Sequence, residues 1–251
     1  MSELSANLSS IQKRIATAAG RAGRKAEDVT LVAVSKTHPL EVIIEAYQAG
    51  LRHFGENRSE ELAHKQTSFA EWQSSQDVAD PVLWHFIGHI QSRQAGSILE
   101  SQPALLHSVD SIKLAERLDR LARRENLPRV DVLLQCNISG EERKSGYPLH
   151  EWNTNSQQLT DFLHTVQSMA TLEKVNVVGL MTMAPYSDEA EASRPFFQSL
   201  AALNEHLKES IPQLAWRHLS MGMTNDFEVG IEEGATIVRV GRAIFGERHY
   251  I

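Results

Sequence analysis

One cysteine, Cys136, is all that 251 residues contain. An intramolecular disulfide and a thiolate metal cluster are thereby excluded, and a reducing cytoplasm is the expected location. Cys136 sits in the apolar run "VDVLLQCNI", where a small core residue is expected rather than a nucleophile. Long hydrophobic runs are also missing. No window approaches the roughly 20 apolar residues of a membrane span, and the opening "MSELSANLSS" has no apolar signal core. An excess of positive charge is absent too. The net charge of −7 argues against nucleic acid or a membrane surface as partner. The one arginine-rich segment, "RLDRLARRENLPR", spreads its charges at helical spacing and reads as a solvated helix face. No G-x-G-x-x-G follows the first apolar run, so the usual mark of a dinucleotide-binding open sheet is missing.

What is present is an alternation of short β-rich runs with longer amphipathic stretches. The strand candidates are "TLVAVSK", "HFGE", "LWHFIG", "LLHSVD", "VDVLLQCNI", "VNVVGLMTMA", "WRHLSMG" and "TIVRVG". A first helix over roughly residues 3–22 precedes them, and amphipathic patterns fill the gaps. Strands alternating with helices imply right-handed βαβ units on a parallel sheet. The fold class is therefore α/β, a closed (β/α)8 TIM barrel with an extra N-terminal helix. A single domain over residues 1–251 is expected. Two segments read as long polar loops: "QTSFAEWQSSQDVADP", and "SGEERKSGYPLHEWNTNS" after the fifth strand. Only the second is placed for function, because it follows a strand C-terminus.

Strand C-termini of such a barrel converge on one site. They bring there Lys36, Glu56 and Asn57, His85 and Gly88, Ser108 and Asp110, Asn137, Met181 and Thr182, Ser220 and Gly222, and Arg239, Gly241 and Arg242. Lys36 closes the run "LVAVSK". A shielded amine can have its pKa lowered and attack a carbonyl, or it can pair with a carboxylate such as Glu56. The last two strands end in "LSMGMTND" and "VRVGRAIFG". Each couples a glycine to a following helix, so backbone N–H groups, with Ser220 and Thr224 hydroxyls, can converge on a phosphate. Arg239 shares a face with Ile237 and Gly241 among β-branched neighbours, where a guanidinium needs a partner. An amine, an anion cradle and a buried arginine together suit pyridoxal 5′-phosphate (PLP). A metal pair at His85 and His89 in "HFIGH" is disfavoured, because residues four apart on a strand running into a turn do not meet as on a helix.

The segments "LVAVSKTHP", "FGENR", "WHFIGHIQ", "SVDS", "NISGEERKSGY", "GLMTMAP", "LSMGMTNDF" and "TIVRVGRAIFGER" fall in order across nearly the whole chain. In them the sequence resembles the pyridoxal phosphate homeostasis proteins, single-domain relatives of the alanine racemase N-terminal barrel. The resemblance implies Lys36 as the Schiff-base lysine. It implies Ser220, Thr224, Gly241 and Arg242 around the phosphate, Arg239 at the pyridine nitrogen, and Asn57 and Met221 beside the ring. Arg93 and Gln94 stand where the family pattern has asparagine and lysine. Thr224 and Asn225 stand where serine and aspartate are common.

The function so implied is a binder that stores PLP and hands it to PLP-dependent apoenzymes, without robust catalysis; because no segment resembles a dedicated dimer helix, a monomer is expected. The alternative is a racemase-like enzyme. Racemisation needs acid–base groups on both faces of the substrate carbon. The opposite-face tyrosine of alanine racemase comes from a second domain that this chain is not expected to have. An arginine at the ring nitrogen also disfavours protonating the ring. A cofactor-free aldolase using Lys36 is a third reading. Lys144, in "EERKSGY", is either a second amine for cofactor release or a surface lysine between acidic neighbours.

Overall fold

The computed structural model describes residues 2–78 and 80–246. The expected domain limits of 1 and 251 fall outside this range. Nine strands and nine α-helices are described. In chain order they are α1 (Glu3–Arg21), β1 (Thr30–Val34), α2 (Leu40–Gln48), β2 (His53–Glu56), α3 (Ser59–Ser75), β3 (Leu83–Phe86), α4 (Ala95–Glu100), β4 (Leu105–Val109) and α5 (Ile112–Arg124). There follow β5 (Val130–Asn137), β6 (Tyr147–Pro148), α6 (Ser156–Met169), β7 (Val175–Met181), α7 (Arg194–Ser210), β8 (His218–Ser220), α8 (Phe227–Glu232), β9 (Ile237–Val240) and α9 (Arg242–Phe245).

The ladder runs β4-β3-β2-β1-β9-β8-β7-β5, and β4 pairs with β5 to close it. All these pairings are parallel. This is the (β/α)8 barrel with one preceding helix. The two-residue β6 is an addition that pairs in parallel with Cys136 and Asn137 at the end of β5.

The sequence shows why each layer forms. Strands present one face to the lumen and one to the helices, with period two. Val32, Leu105, Leu133, Val178, Met181 and Ile237 form a small inner cluster. A larger cluster fills the shell between strands and helices. Helix α5 buries Leu114, Ala115, Leu118 and Ala122 on one side, and its arginines 117, 120, 123 and 124 are exposed or half-buried. Helix α1 begins at Ser2, whose hydroxyl accepts the Ser5 N–H, and buries Leu4, Leu8, Ile11 and Ile15. It packs on α8 and α9. Arg14 forks onto Glu228 at 3.0 and 2.7 Å, fastening the first helix to the end of the barrel.

The expected loop at "QTSFAEWQSSQDVADP" is largely helix. Helix α3 continues to Ser75, because Phe69 is buried and stacks with Tyr47, Trp72 and Trp84. Its buried face is Ser59, Leu62, Lys65 and Phe69. The pattern "NRSEELAHK" reads as helix from the sequence, and the structure extends that helix by ten residues beyond Lys65, to Ser75.

Candidate functional site

The cavity lies over the C-terminal ends of β1 and β9, with walls from the segments after β7 and β8. It has a volume of about 260 Å³ and is lined by Lys36, Thr224, Arg239, Gly241 and Arg242 among others. That is the scale of one small ligand rather than a dinucleotide.

Lys36 is held by its neighbours' backbones. Strand β1 ends at Val34, and the next residues turn sharply, with Thr37 in the left-handed region at φ 68°. The Ser35 hydroxyl donates to Glu56 Oε1 at 2.6 Å. The buried Lys65 ammonium donates to the Ser35 carbonyl (2.8 Å), Glu56 Oε1 (2.8 Å) and Glu61 Oε1 (2.6 Å). Glu61 Oε1 also accepts the Thr37 N–H at 2.6 Å. A buried lysine–glutamate network therefore grips both residues flanking Lys36. Glu56 is used in this network, with Lys65 and Ser35. Burial raises the Glu56 pKa to about 6, against the pull of Lys65 and Ser35. Burial also pushes Glu61 up, but the Lys65 ammonium and the Thr37 N–H together hold it below its ordinary value.

Arg239 is buried at the end of β9 and lines the cavity. It donates to Ser220 Oγ and, at 3.0 Å, to the Thr182 carbonyl. Burial lowers its pKa to about 10, with Asp226 opposing, so it stays a cation at neutral pH. Asp226 is fixed in turn. Its carboxylate accepts from the Met223 N–H (2.7 Å) and Ser193 Oγ (2.9 Å), closing the turn that presents Thr224. Gly222 allows that turn. Its φ is +93°, and a Cβ there would lie 2.8 Å from Phe227 Cα.

The cavity thus gathers Lys36, Thr224, Arg239, Gly241 and Arg242. Ser220, Met221 and Asn57 are not among its lining residues. Ser220 is fully buried beneath Arg239, and Met221 is packed in the outer core. Asn57 backs onto Gly88, where an added Cβ would come 2.2 Å from the Asn57 carbonyl oxygen. Asp226, Tyr186, Ser187 and Met223 line the cavity without having been singled out from sequence. Tyr186 and Ser187 follow Pro185 in the segment after β7, a strand-end position that could have flagged them.

The other strand-end candidates serve structure. Thr182 Oγ1 donates to the Cys136 carbonyl at 2.8 Å, and Ser108 donates to the Gly88 carbonyl. Asn137 folds the loop after β5, donating to the Glu141 carbonyl (2.9 Å) and accepting the Gly140 N–H (3.0 Å). Lys144 in that loop is ion-paired with Glu141 and reaches the Met183 carbonyl at 3.4 Å. The Arg93 guanidinium donates to Gln91, and the Gln94 carbonyl accepts from Ser97. His85 points into the lumen and His89 outward to Asp110 at 3.5 Å. Among the described residues no group of three or more His, Cys, Asp or Glu is placed to hold a metal. No helix of those residues is long and apolar enough to cross a membrane. Burial pushes the Cys136 thiol well above its ordinary pKa.

The residues present suit PLP. Three cationic side chains, three hydroxyl side chains and a glycine line one small cavity, with the Asp226 carboxylate occupied by the Met223 N–H and the Ser193 hydroxyl. That donor set matches an anion carrying an electrophilic carbonyl.

Comparison with known proteins gives the same picture. The alanine racemase N-terminal domain family matches residues 6–249. A pyridoxal phosphate homeostasis protein of Aquifex aeolicus is 40% identical over 243 residues, 97% of each chain. A crystal structure of an unknown protein from Bifidobacterium adolescentis superposes with a TM-score of 0.85 at 35% identity, covering 97% of this chain and 94% of the other. The structure of PipY of Synechococcus elongatus with PLP bound superposes with a TM-score of 0.78 at 32% identity, covering 97% and 100%.

Proposed function

The chain belongs to the alanine racemase N-terminal domain family, among its pyridoxal phosphate homeostasis proteins, and on that premise we propose that it binds PLP through Lys36 and serves intracellular PLP storage and delivery. The observation that carries this is the convergence of Lys36, Thr224, Arg239 and Arg242 on one cavity. The bound cofactor would supply an electrophilic aldehyde and a dianionic phosphate.

Each residue then has a defined task. The Lys36 Nζ condenses with the aldehyde carbon as a Schiff base, with loss of water, from a position held by Ser35 and Thr37. Thr224 donates its hydroxyl to the phosphate, Arg242 offsets its charge, and Gly241 leaves room for it. Arg239 donates toward the ring nitrogen. An obligate donor there keeps that nitrogen an acceptor, which weakens the electron sink that racemisation draws on. Ser220, Met221 and Asn57 complete the cofactor-binding set, Met221 and Asn57 on the side of the ring. Ser220 is tied to Arg239 by a hydrogen bond, and the Met221 N–H donates to the Ile237 carbonyl at 3.2 Å. The chain acts as a monomeric cytoplasmic carrier, meeting PLP-dependent apoenzymes transiently.

The test has two arms. Titration with PLP should give a visible absorbance from the covalent link in the wild type and none in Lys36→Ala. The loaded protein is then incubated with L- and D-amino acids while optical rotation is followed. A rate equal to that of free PLP supports a carrier. Turnover above that background would replace it with the racemase-like alternative.

A further inference from the structure

Barrels of this class are ordinarily filled by branched apolar side chains. Here a polar string runs through the lumen. His53 Nδ1 lies 3.0 Å from His85 Nε2, and His85 Nδ1 lies 3.0 Å from His107 Nε2. His107 Nδ1 lies 2.9 Å from Ser220 Oγ, which reaches across the barrel from β8. Ser220 Oγ in turn meets Arg239 Nη1.

The string has one polarity. A guanidinium can only donate, so Ser220 Oγ accepts from Arg239. The serine is fully buried, and its O–H needs an acceptor. Besides Arg239, its partner among the described residues is His107 Nδ1. A neutral imidazole that accepts at Nδ1 carries its proton on Nε2. His107 therefore donates to His85, and His85 to His53. Burial first, then neighbouring positive groups, lowers His85 to about 3 and His107 well below its ordinary value. Both are neutral at physiological pH. The half-buried His53 ends the string at a separate cavity on the opposite end of the barrel, beside Thr30 and Arg52.

We propose that the histidine string is a positioning device for Arg239. His107, backed by His85 and His53, takes the Ser220 hydroxyl proton and so keeps the serine lone pair aimed at the guanidinium that faces the ligand cavity. His107 is a positioning residue, not one that touches ligand. Only the choice of PLP as the probe below rests on the proposed function.

Ring tautomers are the direct readout. Long-range ¹H–¹⁵N correlation spectra of the ligand-free full chain at pH 7.5 should show His53, His85 and His107 neutral and protonated on Nε2. An Nδ1-protonated or cationic His85 or His107 would overturn the proposal. The second readout compares His107→Leu with His107→Asn, whose Oδ1 stands where Nδ1 stood and can still accept from Ser220. His107→Leu should bind PLP roughly tenfold more weakly, as for one lost neutral hydrogen bond at the upper end of its usual worth, with a shifted visible absorbance. His107→Asn should approach the wild type in both. Wild-type affinity and spectrum in His107→Leu, or equal losses in both variants, would refute it. If His107→Leu does not fold, the tautomers decide. If the wild type takes up no PLP, the functional reading fails while the tautomers still judge the string.

Discussion

Replacing Lys65 by methionine would remove the cation from a site that is all but closed to water. The Glu56 side chain is fully buried and that of Lys65 is 6% exposed. Glu56 Oε2 already has no hydrogen-bond partner in the described structure, so Oε1 depends on Lys65 and Ser35. Removing one partner of a buried pair costs about 3 kcal/mol or more when the other stays charged. The pH dependence gives the argument its sign. Glu56 is raised in the folded state from 4.5 to about 6, so between those values the native state holds more protons than the unfolded one. Stability from this group therefore falls as pH rises through that window. Without Lys65 the folded pKa climbs further and the window widens upward. Urea unfolding followed by tryptophan fluorescence should show Lys65→Met losing about 3 kcal/mol at pH 7.5 and clearly less at pH 5, where Glu56 is mostly protonated. The double variant Glu56→Gln/Lys65→Met should recover much of the loss at pH 7.5. Equal losses at both pH values, or no recovery in the double variant, would refute the claim that Glu56 charge is what Lys65 compensates.

Two further outcomes follow from the same geometry. Gly88→Ala would set a Cβ 2.2 Å from the Asn57 carbonyl oxygen, so it should cost about 2 kcal/mol or more in urea unfolding; a midpoint within error of wild type would contradict the close approach. Cys136 is buried, with its thiol pKa raised; it should resist a thiol reagent in the native protein and react fully in denaturant, and fast native modification would show that β5 is not packed as described.

The barrel was legible in the sequence because its signals are local. "HFGE" became β2 at its expected bounds, and the other seven runs each contain a barrel strand. Lys36, Arg239 and the glycine turns were legible for a related reason. Strand parity and strand ends say which side chains reach a barrel mouth. What could not be read depends on partners distant in the chain. The first half of α3 was legible in the helical pattern "NRSEELAHK", but its continuation to Ser75 was not, because it rests on Phe69 meeting Tyr47 and Trp84 from distant segments. His107 gave no sign at all. Its meaning comes from Ser220, 113 residues away, across a lumen that no local pattern describes. Met221 and Met223 look equivalent in "LSMGMT", yet the turn at Gly222 sends one into the core and the other to the cavity.

The covalent link through Lys36 is tested most directly by reducing the PLP-loaded protein with borohydride, digesting it, and locating the modified peptide by mass spectrometry. A single pyridoxyl-phosphate adduct on Lys36 is the expected result. An adduct confined to another lysine, such as Lys144, or a protein that remains unmodified after saturation with PLP, would contradict it.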